Sequence, residues 1–232
     1  MSVLPVLGID TSADYCSVAV AGPGPQPLAE WRVWAPRGHS ELLHQGIAAV
    51  FSDLGWEPAT GGRRLGAIGV TTGPGSFTGL RIGIAAAKGL ALAWGLPMVG
   101  VSPLAAMATR AGIAGGPVAA AISTRSRDCF AALFVAGTQG EPCQLGEVLA
   151  ERPAAARARL AALAPGPLRL CGRPWRGVEA GPETDCLRLL AEDLDDPCAA
   201  TVAMMAWQAM ARGEGQSPEA VLPVYVRRSG TA

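Results

Sequence analysis

Apolar positions change their period several times along the chain, and each change marks an element. Val3–Asp10 is a nearly continuous apolar run ending on a carboxylate, the pattern of a buried strand. Cys16–Val20 reads as a second strand after the turn Thr11-Ser12-Ala13-Asp14, and Leu28–Trp34 as a third after the Gly/Pro-rich stretch Ala21–Pro27. From Ser40 the spacing becomes helical: Leu43, Ile47, Val50, Phe51 and Leu54 share a face, Glu41 favours the helix N-terminus, and Gly55 stops the run. Leu65–Thr71 predicts a buried strand, Thr78–Trp94 a helix closed by Gly95, Met98–Val101 a strand and Ser102–Arg110 a helix.

The order βββαβαβα implies a mixed sheet covered by helices, because right-handed crossovers leave few other topologies. After Gly112–Pro117 the pattern partly restarts. Val118–Ser123 and Cys129–Val135 predict a hairpin, Gln144–Leu149 a third strand, Pro153–Leu163 a helix and Leu168–Cys171 a further strand. Ala199–Arg212 is a helix with Val202, Met205, Ala206 and Met210 on one face. Two related α/β halves follow, without a residue-level repeat.

Composition narrows the class. A chain of 232 residues with 50% hydrophobic and 16% charged residues buries a real core, which excludes disorder. Nineteen Lys+Arg balance nineteen Asp+Glu, so there is no global field for nucleic acid or an anionic membrane, and any RNA contact is local. Arg63-Arg64, Arg169 with Arg173 and Arg176, and Arg227-Arg228 are candidate patches, with a solvated surface as the plainer reading. Six cysteines (Cys16, Cys129, Cys143, Cys171, Cys186, Cys198) show no CxxC spacing, so neither a zinc ribbon nor a redox pair is indicated, and reduced, packed thiols are expected. The uncharged run from Gly89 to Thr109 is interrupted by Gly95, Pro97, Gly100 and Pro103, and the N-terminus lacks a signal-peptide pattern. The expectation is a cytoplasmic protein with no membrane contact.

Three segments carry candidate chemistry. Asp10, Thr11 and Ser12 close the first strand, where a carboxylate beside two hydroxyls can meet phosphate oxygens or a nucleotide-bound metal; the same residues are ordinary turn formers. Gly73-Pro74-Gly75-Ser76-Phe77-Thr78-Gly79 lies between a strand and a helix N-terminus and can cradle an anion, through Gly73, Gly75 and Ser76, or can simply be a tight turn. It matches neither the Walker A loop nor the dinucleotide fingerprint. In the following helix Gly79, Gly83, Ala87 and Ala91 recur every four residues, a smooth face for another helix or for the chain's own sheet. Arg81 and Lys88 share a different face, open to an acidic partner or to solvent.

The only histidines, His39 and His44, stand ~140° apart around a helix, which is wrong for chelation, and the order is not His-Glu-x-x-His. No metal site is expected, and His39 is placed as a cap or a cleft residue. Cys129 or Cys171 as a nucleophile would need His39 nearby. Arg125-Ser126-Arg127-Asp128 reads as a polar hairpin turn.

Taken together, several segments resemble the TsaB (YeaZ) family. They are Leu7-Gly8-Ile9-Asp10-Thr11-Ser12 with Cys16-Ser17-Val18-Ala19, Arg37-x-His39-Ser40-Glu41-x-Leu43, and Gly73 to Gly83. Gly100-Val101-Ser102 and Pro223-Val224-Tyr225-Val226-Arg227 complete the set. The resemblance implies an actin-like ATPase/sugar kinase/Hsp70-type fold of two α/β lobes with mixed sheets. The corresponding boundaries are 1–105 for the N-terminal lobe, completed by the helix 199–212, 106–198 for a smaller C-terminal lobe, and 213–232 for a tail.

The resemblance further implies a non-catalytic subunit in the synthesis of N6-threonylcarbamoyladenosine at adenosine 37 of tRNAs reading ANN codons. The catalytic partner would be a TsaD-like subunit whose metal sits in a His-x-x-x-His motif that this chain lacks. A TsaE-like ATPase joins them, tRNA is met through the complex, and a homodimer is an accompanying expectation. No cofactor is expected on this chain alone, with ATP or ADP belonging to the complex. Because the family dimerises through N-terminal-lobe helices, Gly79, Gly83, Ala87, Ala91, Arg81 and His39 become the expected partner interface. Where relatives often read Ala-Ile-Asp-Ala-Arg, this chain reads Ala121-Ile122-Ser123-Thr124-Arg125, which removes a carboxylate. The competing expectation is an autonomous glycoprotease-like metallohydrolase or ATP phosphotransferase of the same fold.

Overall fold

A computed structural model describes residues 4–179 and 187–226. The chain divides into two compact units, one of residues 1–103 with 198–224 and the other of residues 104–197 with 225–232.

The first unit opens with β1 (Val6–Asp10), β2 (Tyr15–Ala21) and β3 (Ala29–Trp34), an antiparallel meander. β1 starts at Val6, directly after Pro5, which has no N–H for the ladder; the expected start at Val3 lies outside the described residues. Then follow α1 (His39–Asp53), the short α2 (Pro58–Gly61), β4 (Ala67–Thr71), α3 (Phe77–Trp94) and β5 (Met98–Val101). β4 and β5 join parallel to β1, giving the order β3-β2-β1-β4-β5.

One face of this sheet buries Leu7, Ile9, Val18 and Val70 with Leu43, Val50 and Phe51 of α1 and Ile84 of α3. Phe51 stacks on Trp94 at 5.9 Å between ring centres. The other face takes α6 (Ala199–Ala211), which returns from the far end of the sequence. Gly8 and Gly69 are register partners on β1 and β4, and the missing side chains admit that helix. A Cβ at Gly8 would lie 2.7 Å from Ala203 Cβ, and one at Gly69 2.6 Å from Ala206 Cβ. The buried stripe of α6 is therefore Ala199, Val202, Ala203, Ala206 and Ala209; Met205 and Met210, expected on it, are only partly buried because methionine is too long for this approach. Beyond α6 the chain follows β5, with Gln216 and Met98 exchanging backbone bonds of 2.8 and 2.9 Å, and Val224 N–H reaching Thr72 O at 2.7 Å.

The second unit contains α4 (Pro103–Arg110) from Leu104 onward, β6 (Val118–Ser123), β7 (Cys129–Ala136), β8 (Pro142–Glu151), α5 (Pro153–Leu163), β9 (Leu168–Cys171) and β10 (Leu187–Leu189). Its sheet order, β8-β7-β6-β9-β10, has two antiparallel pairings followed by two parallel ones. That is the pattern of the first sheet, so the repeat absent from the sequence is present in topology. α5 packs Ala156 and Leu160 against Ala131, Leu133 and Leu149, and Trp175 closes the core with its indole N–H shared between Ala119 O and Cys171 O, both at 3.1 Å. The fold class is two α/β units with mixed sheets. Among the described residues no helix is long and apolar enough to cross a membrane.

Candidate functional site

At the C-terminal edge of β1 and β4 the two candidate phosphate loops meet. Asp10, the last residue of β1, is followed by the turn Thr11–Asp14; Ser76, after β4, is the N-cap of α3 and accepts Gly79 N–H at 3.2 Å. Gly75 lies against Ser12, and Ser76 N–H donates to Ser12 O at 2.8 Å. The Thr11 hydroxyl donates to Gly79 O at 2.8 Å. His39 Nε2 stands 3.0 Å from Ala13 O, so the first residue of α1 is tied to the same turn. Asp10, Thr11, Ser12, Ser76, Gly79 and His39 therefore converge, although the sequence assigned Gly79 and His39 to a separate partner interface.

The convergence is closed upon itself. Asp10, Thr11 and Ser12 are all 0% exposed. Both Ser12 donors are used on Asp10 Oδ1, the backbone N–H at 3.1 Å and the hydroxyl at 2.6 Å. The N–H groups of Ser76 and Gly79, which an incoming phosphate would need, are already bonded within the two loops. Burial pushes the Asp10 carboxyl above its ordinary value, with the Ser12 bonds and the Arg32 charge opposing. The Thr71 hydroxyl is near enough to oppose it too, yet neither it nor Asp10 Oδ2 has a hydrogen-bond partner in good geometry. A carboxyl shifted toward its neutral form and sealed from solvent is a poor ligand for a nucleotide-bound metal. The residues present do not fit a nucleotide phosphate. Of the residues expected as phosphate contacts, Asp10, Thr11, Ser12 and Ser76 spend hydrogen bonds within and between the two loops, while Gly75 lies against Ser12 and Gly73 against Val224 O.

The expected interface needs a similar correction. Gly79, Gly83, Ala87 and Ala91 are buried, and a Cβ at Gly79 or Gly83 would run into the Thr11 carbonyl or hydroxyl oxygen. The smooth row faces the chain's own β1 end, and His39 is likewise buried at 8% exposure. Arg81 is exposed, as an interface residue must be, and its guanidinium lies 3.8 Å over the Phe77 ring. Lys88 Nζ reaches Glu219 O at 3.5 Å.

The outward row of α3, shifted by two residues, was missed: Phe77, Arg81, Ala85 and Gly89 also recur every four positions, and all are exposed. Phe77 is 53% and Leu92 63% exposed, two large apolar side chains with Arg81, Ala85 and Gly89 between them. Period alone does not say which of two rows on one helix faces outward. Only the bulk of Phe77 and Leu92 distinguishes this one.

Elsewhere, several arginines are internal anchors, where solvated or RNA-facing patches were expected. The Arg169 guanidinium donates to Ala111 O, Gly112 O and Gly116 O at 3.0, 2.8 and 2.7 Å. Arg173 grips Asp196, and Arg176 grips Asp195 together with Leu190 O at 2.8 Å. Arg227-Arg228 and Cys186 lie outside the described residues. Burial pushes the thiols of Cys16, Cys129 and Cys171 up to about 12, which removes them as nucleophiles; Cys143 is exposed. Among the described residues no group of three or more His, Cys, Asp or Glu stands where it could hold a metal ion.

The family model of TsaD, described as tRNA N6-adenosine threonylcarbamoyltransferase, matches residues 33–148. The chain is 32% identical to the tRNA threonylcarbamoyladenosine biosynthesis protein TsaB of Escherichia coli over 227 residues, covering 97% of this chain and 95% of that one. It is 34% identical over 110 residues to a tRNA N6-adenosine threonylcarbamoyltransferase of Anaeromyxobacter dehalogenans, covering 43% of this chain and 33% of the enzyme. The solved structure of YeaZ from Pseudomonas aeruginosa superposes with a TM-score of 0.77 at 30% identity, over 97% of this chain and all of that one.

Proposed function

The chain belongs to the TsaB (YeaZ) family of tRNA threonylcarbamoyladenosine biosynthesis proteins, and from that membership we propose that it is the non-catalytic subunit that binds and activates a TsaD-type transferase. The observation that carries this reading is the outward row of α3. Phe77 and Leu92 present large exposed apolar surface, while Ala85 and Gly89 between them leave room for a partner helix to approach closely. A Cβ at Gly89 would meet no atom within 4 Å, so that approach is open on this chain's side. Arg81, held over Phe77, supplies a charge at the rim of the same row.

In this reading the chain contributes surface, and the group transfer from threonylcarbamoyl-adenylate to N6 of adenosine 37 takes place on the transferase. A TsaE-type ATPase and the tRNA are met through the assembled complex. The closed Asp10 cradle favours this over an autonomous ATP phosphotransferase, since that chemistry needs phosphate donors that are here engaged internally. Self-association through the same row would compete with the transferase.

The test is an omission assay for threonylcarbamoyladenosine on tRNA by the transferase and the ATPase, with and without this chain. Product that requires the chain, while the chain alone is inert, is the expected result. Equal product without it, or transfer by the chain unaided, overturns the reading.

A further inference from the structure

The arginines of the second unit are used economically. Arg110, Arg159, Arg169, Arg173 and Arg176 each bond a carboxylate or a run of backbone carbonyls in the same unit. Arg125 and Arg127 differ. Both are exposed at the tip of the β6–β7 hairpin, and neither has a bonding partner among the described residues. Arg188 is exposed as well, but it stands singly on the three-residue β10.

The turn that displays them is fixed. The Thr124 hydroxyl donates to Asp128 O at 2.8 Å and lies 2.8 Å from Ser126 Oγ, while Ser126 N–H donates to Thr124 Oγ1 at 3.2 Å. Asp128 N–H returns to Ser126 Oγ at 3.2 Å, and Thr124 N–H to Asp128 O at 3.2 Å. Thr124, Ser126 and Asp128 thus form a bonded framework, and the two residues between them project their side chains from it. Arg152, 62% exposed, adds a third guanidinium by reaching Asp128 Oδ1 at 3.5 Å. Three arginines against one aspartate leave the tip positive in a chain whose formal net charge is +0.

We propose that this hairpin tip, Ser123–Asp128, is a contact for the phosphodiester backbone of RNA, with Arg125 and Arg127 each holding a phosphate. It rests on the function proposed above, in which tRNA is the substrate of the assembled complex. Guanidinium groups match phosphate in charge and in fork geometry, and a turn already ordered by its own side chains loses little entropy on binding. Without an aromatic ring on the turn, the contact fixes position and reads no base.

The test measures tRNA binding by anisotropy across about 50–200 mM salt, for the full chain alone and premixed with the TsaD-type subunit. Wild type is compared with Arg125→Ala/Arg127→Ala and with Arg125→Lys/Arg127→Lys. Two lost phosphate contacts should reduce the slope of log affinity against log salt by about two, so that affinity falls about tenfold less over that range. The lysine pair should keep most of the slope. Identical slopes for wild type and the alanine pair, no tRNA binding in either arm, or displacement of the tRNA by ATP at the same tip would each overturn the proposal, the last by making free nucleotide the occupant. Light scattering on the mixtures reports separately on the function: a missing heterodimer refutes that reading, while the slopes of the chain alone still decide the hairpin.

Discussion

Gly83 and Gly89 lie six residues apart on α3, and the same substitution at each should act with opposite sign. At Gly89 a Cβ enters open space, so Gly89→Ala gains only helix propensity, about 1 kcal/mol. At Gly83 the same gain of about 1 kcal/mol is offset twice over. The new methyl occupies the place of the Thr11 hydroxyl, which is held by Gly79 O at 2.8 Å. Displacing that hydroxyl loses a buried hydrogen bond, about 1 kcal/mol, and repacking a tight interior costs about 1–3 kcal/mol more. The net for Gly83→Ala is a loss of about 1–3 kcal/mol, and the two variants should differ by about 2–4 kcal/mol.

Urea unfolding followed by tryptophan fluorescence suits this comparison. Trp31, Trp34, Trp56, Trp94 and Trp207 lie in the first unit and only Trp175 in the second, so the signal reports mainly on the unit that holds α3. Gly89→Ala should move the midpoint up and Gly83→Ala should move it down. If Gly83→Ala is as stable as wild type, the Gly79/Gly83/Ala87/Ala91 row does not face Thr11, and its assignment to the chain's own packing is wrong.

Other consequences are open to direct measurement. Gly89→Trp should fold normally yet lose association with the transferase in light scattering, with product formation falling in parallel; unchanged association removes the outward row as the interface. For Asp10 the native state keeps a proton that the unfolded chain gives up above about its ordinary value of 3.8, so its contribution to stability falls as pH rises beyond that point. Asp10→Asn should remove this fall, hold or raise stability at neutral pH, and leave product formation intact, whereas a metal-holding Asp10 would lose activity. Arg169→Met, which strips three carbonyls of their donor, should lower stability by about 3 kcal/mol, and a change under about 1 kcal/mol would show that those bonds are dispensable. A thiol reagent at pH 8 followed by peptide mapping should label Cys143 and spare Cys16, Cys129 and Cys171, and ready labelling of the latter three would contradict their burial.

Element order was legible because the hydrophobic period shifts cleanly: Met98–Val101, Pro153–Leu163 and Leu168–Cys171 stand where the pattern places them. Strand glycines were less legible. Nothing local marks Gly8 and Gly69 as register partners beneath a helix from the far end of the sequence; that requires knowing which strands pair. The orientation of α3 failed for a related reason. The Gly79/Gly83/Ala87/Ala91 row suits a partner helix or the chain's own sheet equally until Thr11 is placed next to it. Asp10, Thr11 and Ser12 were found as a group by their chemistry, but whether their donors face outward or inward depends on the Gly73–Ser76 loop, some sixty residues away in sequence. Arg169, Arg173 and Arg176 form no run that betrays an anchor, because their acceptors are backbone carbonyls and aspartates distant in sequence.

The two sheets share one topology, so the turn after β1 and the turn after β6 are equivalent positions with opposite fates. After β4, the parallel neighbour of β1, the chain enters the eighteen-residue α3, whose N-terminal turn lies against Thr11–Ser12 and seals it. After β9, the parallel neighbour of β6, the first described element is the five-residue 3-10 turn Arg173–Gly177, which places Trp175 into the core. The β6–β7 turn is exposed, with Ser123, Arg125, Ser126 and Arg127 all open to solvent. An exposed turn must satisfy its own polar groups, and the Thr124–Ser126–Asp128 network does so, leaving the arginines unengaged. The same supersecondary unit thus serves as an internal lock in the first half and as a rigid, positively charged prow in the second. Where the lock is, the N–H groups of Ser12, Ser76 and Gly79 are already engaged within the two loops. At the prow Arg125 and Arg127 are exposed and unpaired among the described residues, and it is there that the proposed phosphate contact falls.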